Sequence, residues 1–298
     1  NLKYFEEIYK KNNNLYWFDM RDSAGTTQFE VLPFVKKYIK KQLYKDKKIY
    51  FNKIKGGRLH TDYYIKKHNI KDFKDYNQEL LNPKYLKKLT LGWNLGVAFF
   101  FDYIEFSTID YYLEFLKFKY LDKMEYKMKL PFYENWNEDK VKYDYFSLMN
   151  TKFYRESVGF QRIKLKKVLE NLKNKNGIIK GRFNKKKYYK TLRNSKVSIG
   201  AFGWGEICYR EFEAIMCGTA FMTADMSKIE TWPNIYHDGH TYLSYDLEFE
   251  NLENNLNILT NDINLRKKLV TNSKSILENC HLQTGKKYFL NKILEIIE

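Results

Sequence analysis

The sequence predicts an α/β fold of two domains, each built on a parallel sheet, and three observations support this. The chain has 298 residues, a length that favours two domains of modest size. Short apolar runs alternate with segments of helical periodicity in both halves, which is typical of βαβ units. The polar stretch from Pro131 to Lys142 separates the halves and is the best candidate for a domain boundary.

The first half of the chain combines helical segments with two short apolar runs. Its predicted elements are a helix over Asn1 to Lys11, a strand over Leu15 to Met20, a loop over Arg21 to Thr27, an amphipathic helix from about Phe34 to Tyr44, a strand over KIYFN, and a long aromatic and basic helix from about Asp110 to Lys129. Strands that alternate with helices in this way predict a parallel sheet.

The second half repeats the alternation with clearer strands. Its predicted strands are YDYFSLMN, GIIKGRF, KVSIGAF and TAFMTA. Its predicted helices are those from about Phe160 to Lys173, over KKKYYKTLRNS, and over Glu206 to Met216, Asn251 to Leu259, Asp262 to Asn279 and Lys286 to Ile297. A second Rossmann-like domain follows from this pattern.

The chain is strongly basic, because 53 lysines and arginines stand against 36 acidic residues and give a formal charge of +17. A basic surface favours anionic partners, among them nucleotide diphosphates, anionic glycans, phospholipid head groups and nucleic acid. Lys, Asn, Ile, Tyr and Phe are also abundant together, as in proteins encoded by DNA that is poor in G and C. The charge alone therefore does not separate a selected anion site from a bias of composition.

Cysteine content and hydropathy indicate a soluble protein of a reducing compartment. Cys208, Cys217 and Cys280 make neither an even disulfide framework nor a CxxC pair. The apolar run from Val97 to Phe101 is followed at once by Asp102 and is far shorter than the ~20 residues that span a membrane. We expect a cytoplasmic protein whose basic face allows peripheral contact with the anionic inner face of a membrane.

The segment GWGEICYREFEAIMCG carries the strongest functional pattern of the chain. A predicted strand runs into Gly203, Trp204 and Gly205 and then directly into a predicted helix. Glycines at such a turn permit positive φ and close approach of a ligand. The N-terminus of the helix favours an anion such as a diphosphate, because it presents free N–H groups and a partial positive charge.

Three charged residues follow the glycine turn. Glu206, Arg210 and Glu213 lie at spacings of four and three, which predicts that their side chains share one helix face. Two carboxylates and a guanidinium on one face can hold ribose hydroxyls and phosphate together. The alternative is an ordinary solvated ion pair on a helix surface, since isolated glycine motifs are weak signals.

The longer stretch GAFGWGEICYREFEAIMCGTAFMTADM resembles the donor-site segment of glycosyltransferases with the GT-B fold. In that family a glycine-rich turn opens a helix that ends E-A-x-x-x-G, and a short strand follows. Glu213, Ala214 and Gly218 match that ending. The preceding KKKYYKTLRNSKVSIG resembles the helix and strand that lead into this site in exostosin-like and group 1 transferases.

The resemblance implies two Rossmann-like domains whose parallel sheets face a cleft. It implies that Glu213 binds the ribose hydroxyls of a nucleotide sugar, and that the backbone from Gly203 to Glu206 faces the diphosphate. Many retaining members carry a first glutamate eight positions before the second, and here Gly205 occupies that position. The equivalence of Glu206, and with it the choice between inverting and retaining chemistry, stays open.

Two aspartates follow the first predicted strand, in FDMRDSAGTT. Ligands of open α/β sheets bind beyond the carboxyl ends of the strands, where Asp19 and Asp22 are expected to lie. Either is a candidate for the catalytic base that takes the proton of an acceptor hydroxyl. The pattern favours structure for Asp19 and chemistry for Asp22, and Asp22 with Ser23 is also typical of a turn or a helix cap.

Positive charge must offset the leaving diphosphate, and arginines are the candidates for that role. The chain contains no Asp-x-Asp pair, which single-domain, metal-dependent transferases typically use. We therefore predict neither a metal nor another cofactor. Arg155 and Arg162 follow the first strand of the second half, and Arg210 lies in the donor segment. An arginine fork holds phosphate oxygens bidentately, and an ordinary surface position is the alternative for each.

The histidines and tryptophans give weaker signals. No metal-ligand spacing occurs among the five histidines, His60, His68, His237, His240 and His281. In GGRLHTDYY, Arg58 and His60 are candidates for contact with an acceptor in the cleft, and a structural histidine is the alternative. Trp93 and Trp232 stack on a ligand or pack in the core, and neither is assigned to the site.

The predicted function is transfer of a sugar from a nucleotide-sugar donor to a hydroxyl of a glycan or glycolipid acceptor. Lipopolysaccharide or capsule is the expected acceptor by analogy only. The predicted domains are residues 1–140 on the acceptor side, residues 141–284 for the nucleotide sugar, and a last helix over residues 285–298 that crosses back to the first domain.

The alternative function is a non-enzymatic protein that binds nucleic acid or an anionic glycan. The charge of +17 and the 18% aromatic content favour this alternative, because basic grooves with stacking aromatics bind single strands. No RNP, KH or helix-turn-helix signature supports specific binding of nucleic acid.

Overall fold

The computed structural model describes residues 2–72, 79–97, 138–152, 155–173, 175–281 and 285–298. The predicted helix from Asp110 to Lys129 and the first part of the predicted boundary stretch from Pro131 lie outside these residues.

Short strands and longer helices alternate along the described part of the chain. The helices are α1 (Leu2–Lys11), α2 (Leu59–His68), α3 (Glu156–Asn171), α4 (Lys185–Arg193), α5 (Tyr209–Met216), α6 (Leu252–Asn261), α7 (Ile263–Cys280) and α8 (Lys286–Ile297). The strands are β1 (Tyr16–Asp19), β2 (Lys37–Lys40), β3 (Gln42–Tyr44), β4 (Leu89–Leu91), β5 (Tyr143–Phe146), β6 (Gly177–Ile178), β7 (Ser195–Ile199), β8 (Ala220–Ala224), β9 (Ile229–Thr231) and β10 (Leu243–Tyr245).

Two of the sheets consist entirely of parallel strands. The first has the order β1-β2-β4 and lies in the first half of the chain. The second has the order β10-β8-β7-β5-β6 and lies in the second half. Parallel strands connected through helices are what the alternation of patterns predicts, so the predicted α/β class with two parallel sheets is confirmed.

A third, two-stranded sheet joins the two halves of the chain. In it β3 pairs antiparallel with β9, and Gln42 lies opposite Thr231. The core is also shared, because buried side chains of both halves, such as Leu43 and Phe212, belong to one continuous cluster. Backbone hydrogen bonds and apolar contacts therefore hold the two parallel sheets in one body.

The predicted helix from Phe34 to Tyr44 is wrong, because this segment forms β2 and β3. Apolar side chains at spacings of three and four imitate a helix here. Residues 38–44 are all buried, so both faces of the segment are covered, as is usual for strands of a parallel sheet. Lys40 tolerates this burial because its ammonium group pairs with Asp19 at 2.9 Å.

The predicted strand over KIYFN is also wrong, because Lys47–Phe51 forms a 3-10 helix. Asp46 caps this helix by accepting a hydrogen bond from the backbone N of Lys48 at 2.9 Å. Tyr50 is the buried residue of the turn. Short apolar runs do not by themselves distinguish a strand from a helix, and here the capping aspartate was the missed signal.

The other predicted elements of the described part are present, with shifted ends. The helix predicted from Phe160 begins at Glu156, and the helix predicted from Glu206 begins only at Tyr209. The strand over GIIKGRF is reduced to the two residues of β6. The element type was thus correct where the periodic pattern was long, and the ends were less certain.

The last helix, α8, lies against the first sheet. The Tyr16 hydroxyl on β1 donates a hydrogen bond to the carbonyl oxygen of Ile297 at 2.8 Å. The Phe289 ring lies 5.7 Å from the Trp93 ring and 6.3 Å from the Trp232 ring, between ring centroids. Both tryptophans therefore pack within the fold. The domain boundaries after residues 140 and 284 stay predictions.

Candidate functional site

The strand order of the second sheet reverses direction between β5 and β7. From β5 the chain passes through α3 to β6 on one side, whereas β7 lies on the other side of β5. Loops that leave the carboxyl ends of two such strands diverge and open a crevice, which is the usual ligand position in open α/β sheets. The loop after β7 contains Gly203 to Glu206, so the predicted donor segment lies at this crevice.

The glycine turn after β7 is shaped by contact with the first half of the chain. Neither Gly203 nor Gly205 adopts the positive φ that a glycine permits. A Cβ at Gly205 would overlap the carbonyl oxygen of Asp22, whereas a Cβ at Gly203 would first meet the end of the Arg162 side chain at 3.0 Å. Gly205 therefore allows the loop after β1 to approach closely.

Glu206 belongs to the same contact between the two halves. Its carboxylate accepts hydrogen bonds from the Ser23 hydroxyl at 2.8 Å, the Ala24 backbone N at 3.0 Å and the Gln42 side-chain amide at 2.6 Å. The residue is buried. Three donors from the first half thus engage this carboxylate, which places Glu206 in the contact between halves instead of on a helix.

Glu206, Arg210 and Glu213 do not share one helix face, so that prediction is wrong. Glu206 lies before the helix begins. Cys208 is extended, with φ −120° and ψ 154°, and the helix α5 begins only at Tyr209. Arg210 and Glu213 remain on one helix at a spacing of three, which keeps their side chains on neighbouring positions of its surface.

The guanidinium of Arg210 reaches the carboxyl end of β7. A Cβ at Gly200 would lie 3.0 Å from its Nη1 atom and 2.9 Å from Oε1 of Glu211, so glycine leaves room for both groups. Among the described residues, neither of these buried atoms has a hydrogen-bond partner, and the same holds for the hydroxyls of Thr223 and Tyr236. Buried polar atoms are normally paired, so this cluster is an exception that indicates a ligand or water position.

The Glu211 side chain caps the N-terminus of α5. Its Oε2 atom accepts a hydrogen bond from the backbone N of Cys208 at 3.1 Å. Burial raises the pKa of Glu211 to about 7, against the opposing effect of the Arg210 charge. A large fraction of this carboxyl group is therefore protonated at neutral pH.

Two tyrosines of α4 hold the carboxylate of Glu213. The Tyr188 hydroxyl donates to Oε2 at 2.8 Å, and the Tyr189 hydroxyl donates to Oε1 at 2.9 Å. Burial, together with the charge of Glu213, raises the pKa of both tyrosines, so both remain hydrogen-bond donors. A carboxylate has about four acceptor positions, and Glu213 therefore retains capacity for hydroxyl donors of a ligand.

The E-A-x-x-x-G motif also determines how α5 ends. Gly218 adopts a left-handed φ of +69° directly after the helix. Its backbone N donates to the Ile215 carbonyl at 3.1 Å, and the Thr219 backbone N donates to the Ala214 carbonyl at 2.9 Å. This pair of bonds is a Schellman motif, which ends the helix and turns the chain into β8.

Arg162 ties together the two loops that border the crevice. Its Nε atom donates to the Phe202 carbonyl at 2.9 Å, and its Nη1 atom donates to the Asn150 carbonyl at 3.0 Å. The charge of Arg162 thus lies beside the glycine turn. Arg155 directly precedes α3 with an extended backbone, φ −102° and ψ 117°, in the loop after β5.

Asp19 is buried at the end of β1. Its carboxylate accepts hydrogen bonds from the Lys40 ammonium at 2.9 Å, from the Tyr38 hydroxyl and from the Arg21 backbone N at 3.0 Å. Only 1% of the residue is exposed, so an acceptor hydroxyl does not reach it. Burial and the ion pair with Lys40 support the structural role that the sequence favours for Asp19, and a catalytic role for it stays a prediction.

Asp22 lies in an exposed position beside the glycine turn. Its side chain is 67% exposed, and its Oδ1 atom lies 3.1 Å from the Lys41 ammonium. Its carbonyl oxygen accepts a hydrogen bond from the Gln42 side-chain amide at 2.6 Å and lies against Gly205. The backbone of Asp22 is therefore fixed, while its carboxylate stays accessible.

Arg58 and His60 lie at the start of α2, and both are buried. Arg58 donates a hydrogen bond to the Trp204 carbonyl, and its guanidinium lies 5.3 Å from the centre of the Trp204 ring. His60 packs on Phe202 with ring centroids 4.6 Å apart, and neither ring nitrogen has a partner among the described residues. Burial, with the charges of Arg58 and Arg162, holds the pKa of His60 well below its usual value, so the ring is neutral.

A cavity of about 1120 Å³ lies between α2 and the loops that follow β8 and β10. Its lining includes His60, Phe202 and Glu206, so it extends to the glycine turn. Elements of both halves form its walls. A cavity with walls from both halves therefore lies next to the predicted donor segment.

Some residues of this region were missed by sequence reasoning. Asp225 and Asp246 line the cavity and directly follow β8 and β10. The sequence does contain a pattern that predicts them. An aspartate follows each of the apolar runs TAFMTA and TYLSY, and the carboxyl ends of parallel strands lie at one edge of a sheet. Glu211, Tyr188 and Tyr189 gave no such signal, because their roles arise from burial and from contacts made in the folded chain.

Two further features concern metals and membranes. Within the described ranges, no group of three or more His, Cys, Asp or Glu side chains is placed to hold a metal ion. The helices of the described part include none that is long and apolar enough to cross a membrane. In the part of the chain that the structure describes, no disulfide bond involves Cys208, Cys217 or Cys280.

Comparison with known proteins finds similarity at the level of structure. No protein-family model matches the chain, and no curated protein sequence matches it. The C-terminal domain of a glycosyl transferase group 1 family protein (LpcC) from Francisella tularensis aligns at 15% identity and a TM-score of 0.34, over 49% of this chain and 94% of that chain. HepE from Anabaena, in complex with UDP-glucose, aligns at 8% identity and a TM-score of 0.48, over 99% of this chain and 75% of that chain. A glycosyltransferase from Rickettsia africae ESF-5 aligns at 12% identity and a TM-score of 0.43, over 99% and 79%.

Proposed function

We propose that the chain is a glycosyltransferase that binds a nucleotide sugar in the crevice between β5 and β7 and transfers the sugar to a hydroxyl of a glycan or glycolipid. The observation that carries this proposal is the buried Nη1 atom of Arg210, which has no partner among the described residues and lies at the carboxyl end of β7. Leaving such a donor unpaired costs about 1–3 kcal/mol, and a phosphate oxygen removes that cost.

The charges around the crevice support a diphosphate at this position. The N-terminus of α5 adds a partial positive charge, and Arg162 lies beside the glycine turn. These groups are fixed before the reaction, where a leaving nucleoside diphosphate gains negative charge. We therefore propose that transfer proceeds without a metal ion.

Glu213 is the proposed partner of the nucleotide ribose. Its carboxylate is held by the hydroxyls of Tyr188 and Tyr189 and keeps acceptor capacity. Ribose offers two neighbouring hydroxyl donors, which suit an oriented carboxylate. Arg210 lies on the same helix at a spacing of three, so phosphate and ribose would lie on adjacent positions of α5.

Asp22 is the proposed base for an inverting reaction, because it is an exposed carboxylate beside the glycine turn. In this step the acceptor hydroxyl gives its proton to Asp22 while its oxygen bonds to the anomeric carbon. The bond between that carbon and the diphosphate oxygen breaks, and its electron pair stays on the diphosphate beside Arg210. The configuration of the product sugar, determined by NMR, tests whether inversion takes place.

The proposed acceptor is a surface glycan or glycolipid, such as lipopolysaccharide or capsule, held mainly by the first half of the chain.

Peripheral contact with an anionic membrane fits α1, where Lys3, Lys10 and Lys11 accompany the exposed side chains of Leu2 and Tyr4. Such a mixture of basic and apolar side chains suits the interface of an anionic bilayer.

Thermal unfolding in the presence of UDP, GDP, CMP and their sugars tests the donor site. A nucleotide at a hundredfold excess over its dissociation constant stabilises the protein by about 2.7 kcal/mol. We expect one nucleotide class to stabilise wild type and to lose this effect in Arg210→Ala. Arg182→Ala, which changes an exposed arginine outside the crevice, serves as the matched control.

Two outcomes would contradict the donor site. One is the absence of any stabilisation by the panel, and the other is equal stabilisation of wild type and Arg210→Ala. A steeply salt-dependent affinity for single-stranded oligonucleotides without any nucleotide effect would instead favour the nucleic-acid alternative.

A further inference from the structure

The wall of the cavity carries a charge opposite to that of the whole chain. Seven carboxylate side chains line it against three lysines. The chain as a whole has a formal charge of +17. Two of the seven, Asp62 and Glu248, form ion pairs with lysines. The remaining negative charge includes that of Asp225, Asp238 and Asp246, and it disfavours anions in their part of the cavity, away from the glycine turn.

Two of the carboxylates lie side by side. The strands β8 and β10 are neighbours and parallel, with Ala224 opposite Tyr245. Asp225 and Asp246 are the next residues, and the backbone N of Asp225 donates to the Tyr245 carbonyl at 3.0 Å. Both aspartates line the cavity. The edge of the second sheet thus presents two adjacent carboxylates to the cleft.

Neutral groups hold these carboxylates and that of the nearby Asp238 in place. The donors are the Ser227 hydroxyl to Asp225 at 2.7 Å, the Ser244 hydroxyl to Asp238 at 3.0 Å and the Asn251 backbone N to Asp246 at 3.1 Å. Within the part of the chain that the structure describes, none of the three forms an ion pair. Their negative charge is therefore fixed in position and not neutralised by a neighbouring lysine or arginine.

An independent feature of the same cavity also indicates a ligand. His60 lines the cavity, is 2% exposed, and has no hydrogen-bond partner on either ring nitrogen among the described residues. A neutral imidazole offers one donor and one acceptor, and leaving both unused in a buried position is costly. The hydroxyl of a carbohydrate is both a donor and an acceptor and satisfies either nitrogen.

We infer that this cavity binds a carbohydrate that carries an ammonium group, with the ammonium group at Asp225 and Asp246 and a sugar hydroxyl at His60. The inference rests on the proposed function in one respect, which is that this carbohydrate is the acceptor. The ring of Phe202 and the side chain of Leu59, which also line the cavity, supply apolar surface for the sugar ring. The acceptor class is thereby narrowed from glycans in general to glycans that contain an unacetylated amino sugar.

Calorimetric titration with a matched pair of ligands tests this inference. The pair is a β-1,4-linked tetramer of glucosamine and the same tetramer with every amino group acetylated. Charge-assisted hydrogen bonds are about twice as strong as neutral ones, so we expect the amino tetramer to bind at least about tenfold more tightly. We expect this preference to disappear in Asp225→Asn/Asp246→Asn and to persist in Glu253→Gln, an exposed carboxylate that does not line the cavity.

The results of these titrations test the cavity ligand separately from the proposed donor site. Equal affinity for the two tetramers, or equal loss in the double variant and Glu253→Gln, overturns the ammonium inference. Spermidine that binds as tightly as the amino tetramer overturns the carbohydrate part of it. Nucleotide binding is measured on the same proteins: an amino-tetramer preference without any nucleotide effect supports the cavity ligand while rejecting the proposed transferase.

Discussion

Arg210 and Glu211 occupy consecutive positions at the start of α5, yet burial affects them differently. An arginine keeps its charge in almost any protein environment, because its ordinary pKa lies far above neutral. The carboxyl group of Glu211 instead gains a proton, since burial raises its pKa to about 7. Protonation of Glu211 leaves the Arg210 charge unopposed at the carboxyl end of β7, which is the electrostatic condition that a phosphate group requires.

The raised pKa of Glu211 predicts a pH-dependent stability. The ordinary pKa is 4.5, so between pH 4.5 and about 7 the folded chain holds a proton that the unfolded chain has released. The free energy of unfolding therefore falls as the pH rises through this window. Glu211→Gln lacks this contribution, and we expect its stability relative to wild type to increase with pH by about 1–3 kcal/mol.

Urea unfolding of wild type and Glu211→Gln at about pH 5 and about pH 7.5 measures this difference. The lowered pKa values of His60 and His281 also make stability depend on pH, but they act equally in both proteins and cancel in the comparison. The same stability difference at both pH values would show that the pKa of Glu211 is not raised.

At the scale of single residues, the sequence predicts some contacts of the candidate site and not others. The predicted proximity of Arg210 and Glu213 holds because a helix keeps side chains at a spacing of three close together, and their binding roles stay proposals. The role of Glu206 depends on three donors that lie 164 to 183 positions earlier in the chain. No local pattern encodes such a contact, so the helix-face prediction failed at the residue where the other half of the chain intervenes.

The strand β2 shows how burial overrides local pattern at the scale of an element. Its segment carries lysines at positions 36, 37, 40 and 41 between apolar residues, which is the composition of an amphipathic helix. Lys40 is nevertheless fully buried, because the carboxylate of Asp19 on the neighbouring strand β1 lies beside it. Periodicity does not reveal a cross-strand ion pair. The helices of the second half show their helical spacing directly in the sequence and were predicted with shifted ends.

Removing the Lys40 charge should destabilise the first sheet strongly. Lys40→Met leaves Asp19 buried without its countercharge, and breaking a buried pair in this way costs about 3–5 kcal/mol. We expect Lys40→Met/Asp19→Asn to recover part of this loss, because no buried charge remains unpaired. Lys10→Met, which breaks the exposed pair with Glu6, is the control and should cost at most about 1 kcal/mol.

Urea unfolding of the four proteins tests this ranking. The expected order of stability is wild type and Lys10→Met first, then the double variant, then Lys40→Met. A Lys40→Met protein as stable as Lys10→Met would mean that Asp19 becomes neutral or finds water, and that the pair does not hold β1 and β2 together.

At the scale of the whole molecule, the two halves meet where the candidate site is formed. The sheet of β3 with β9, the shared core and the Glu206 carboxylate all connect them. The glycine turn takes part in this contact through Gly205, and it also borders the crevice that is the proposed donor site. The position of the donor segment is therefore coupled to the loop after β1, which carries the proposed base Asp22.

Gly205→Ala should disturb this contact, and Gly203→Ala provides its matched control within the same turn. The added Cβ at position 205 would overlap a backbone carbonyl, which does not move without its chain, whereas at position 203 it would meet the flexible end of Arg162 at 3.0 Å. Overpacking of this kind costs about 1–3 kcal/mol, so we expect Gly205→Ala to be the less stable variant by that amount. Hydrogen exchange at the Ala24 amide, which donates to Glu206, should accelerate in Gly205→Ala and remain slow in Gly203→Ala. Equal exchange in the two variants would mean that the turn and the loop after β1 move independently, and the donor and base positions would then not be coupled through Gly205.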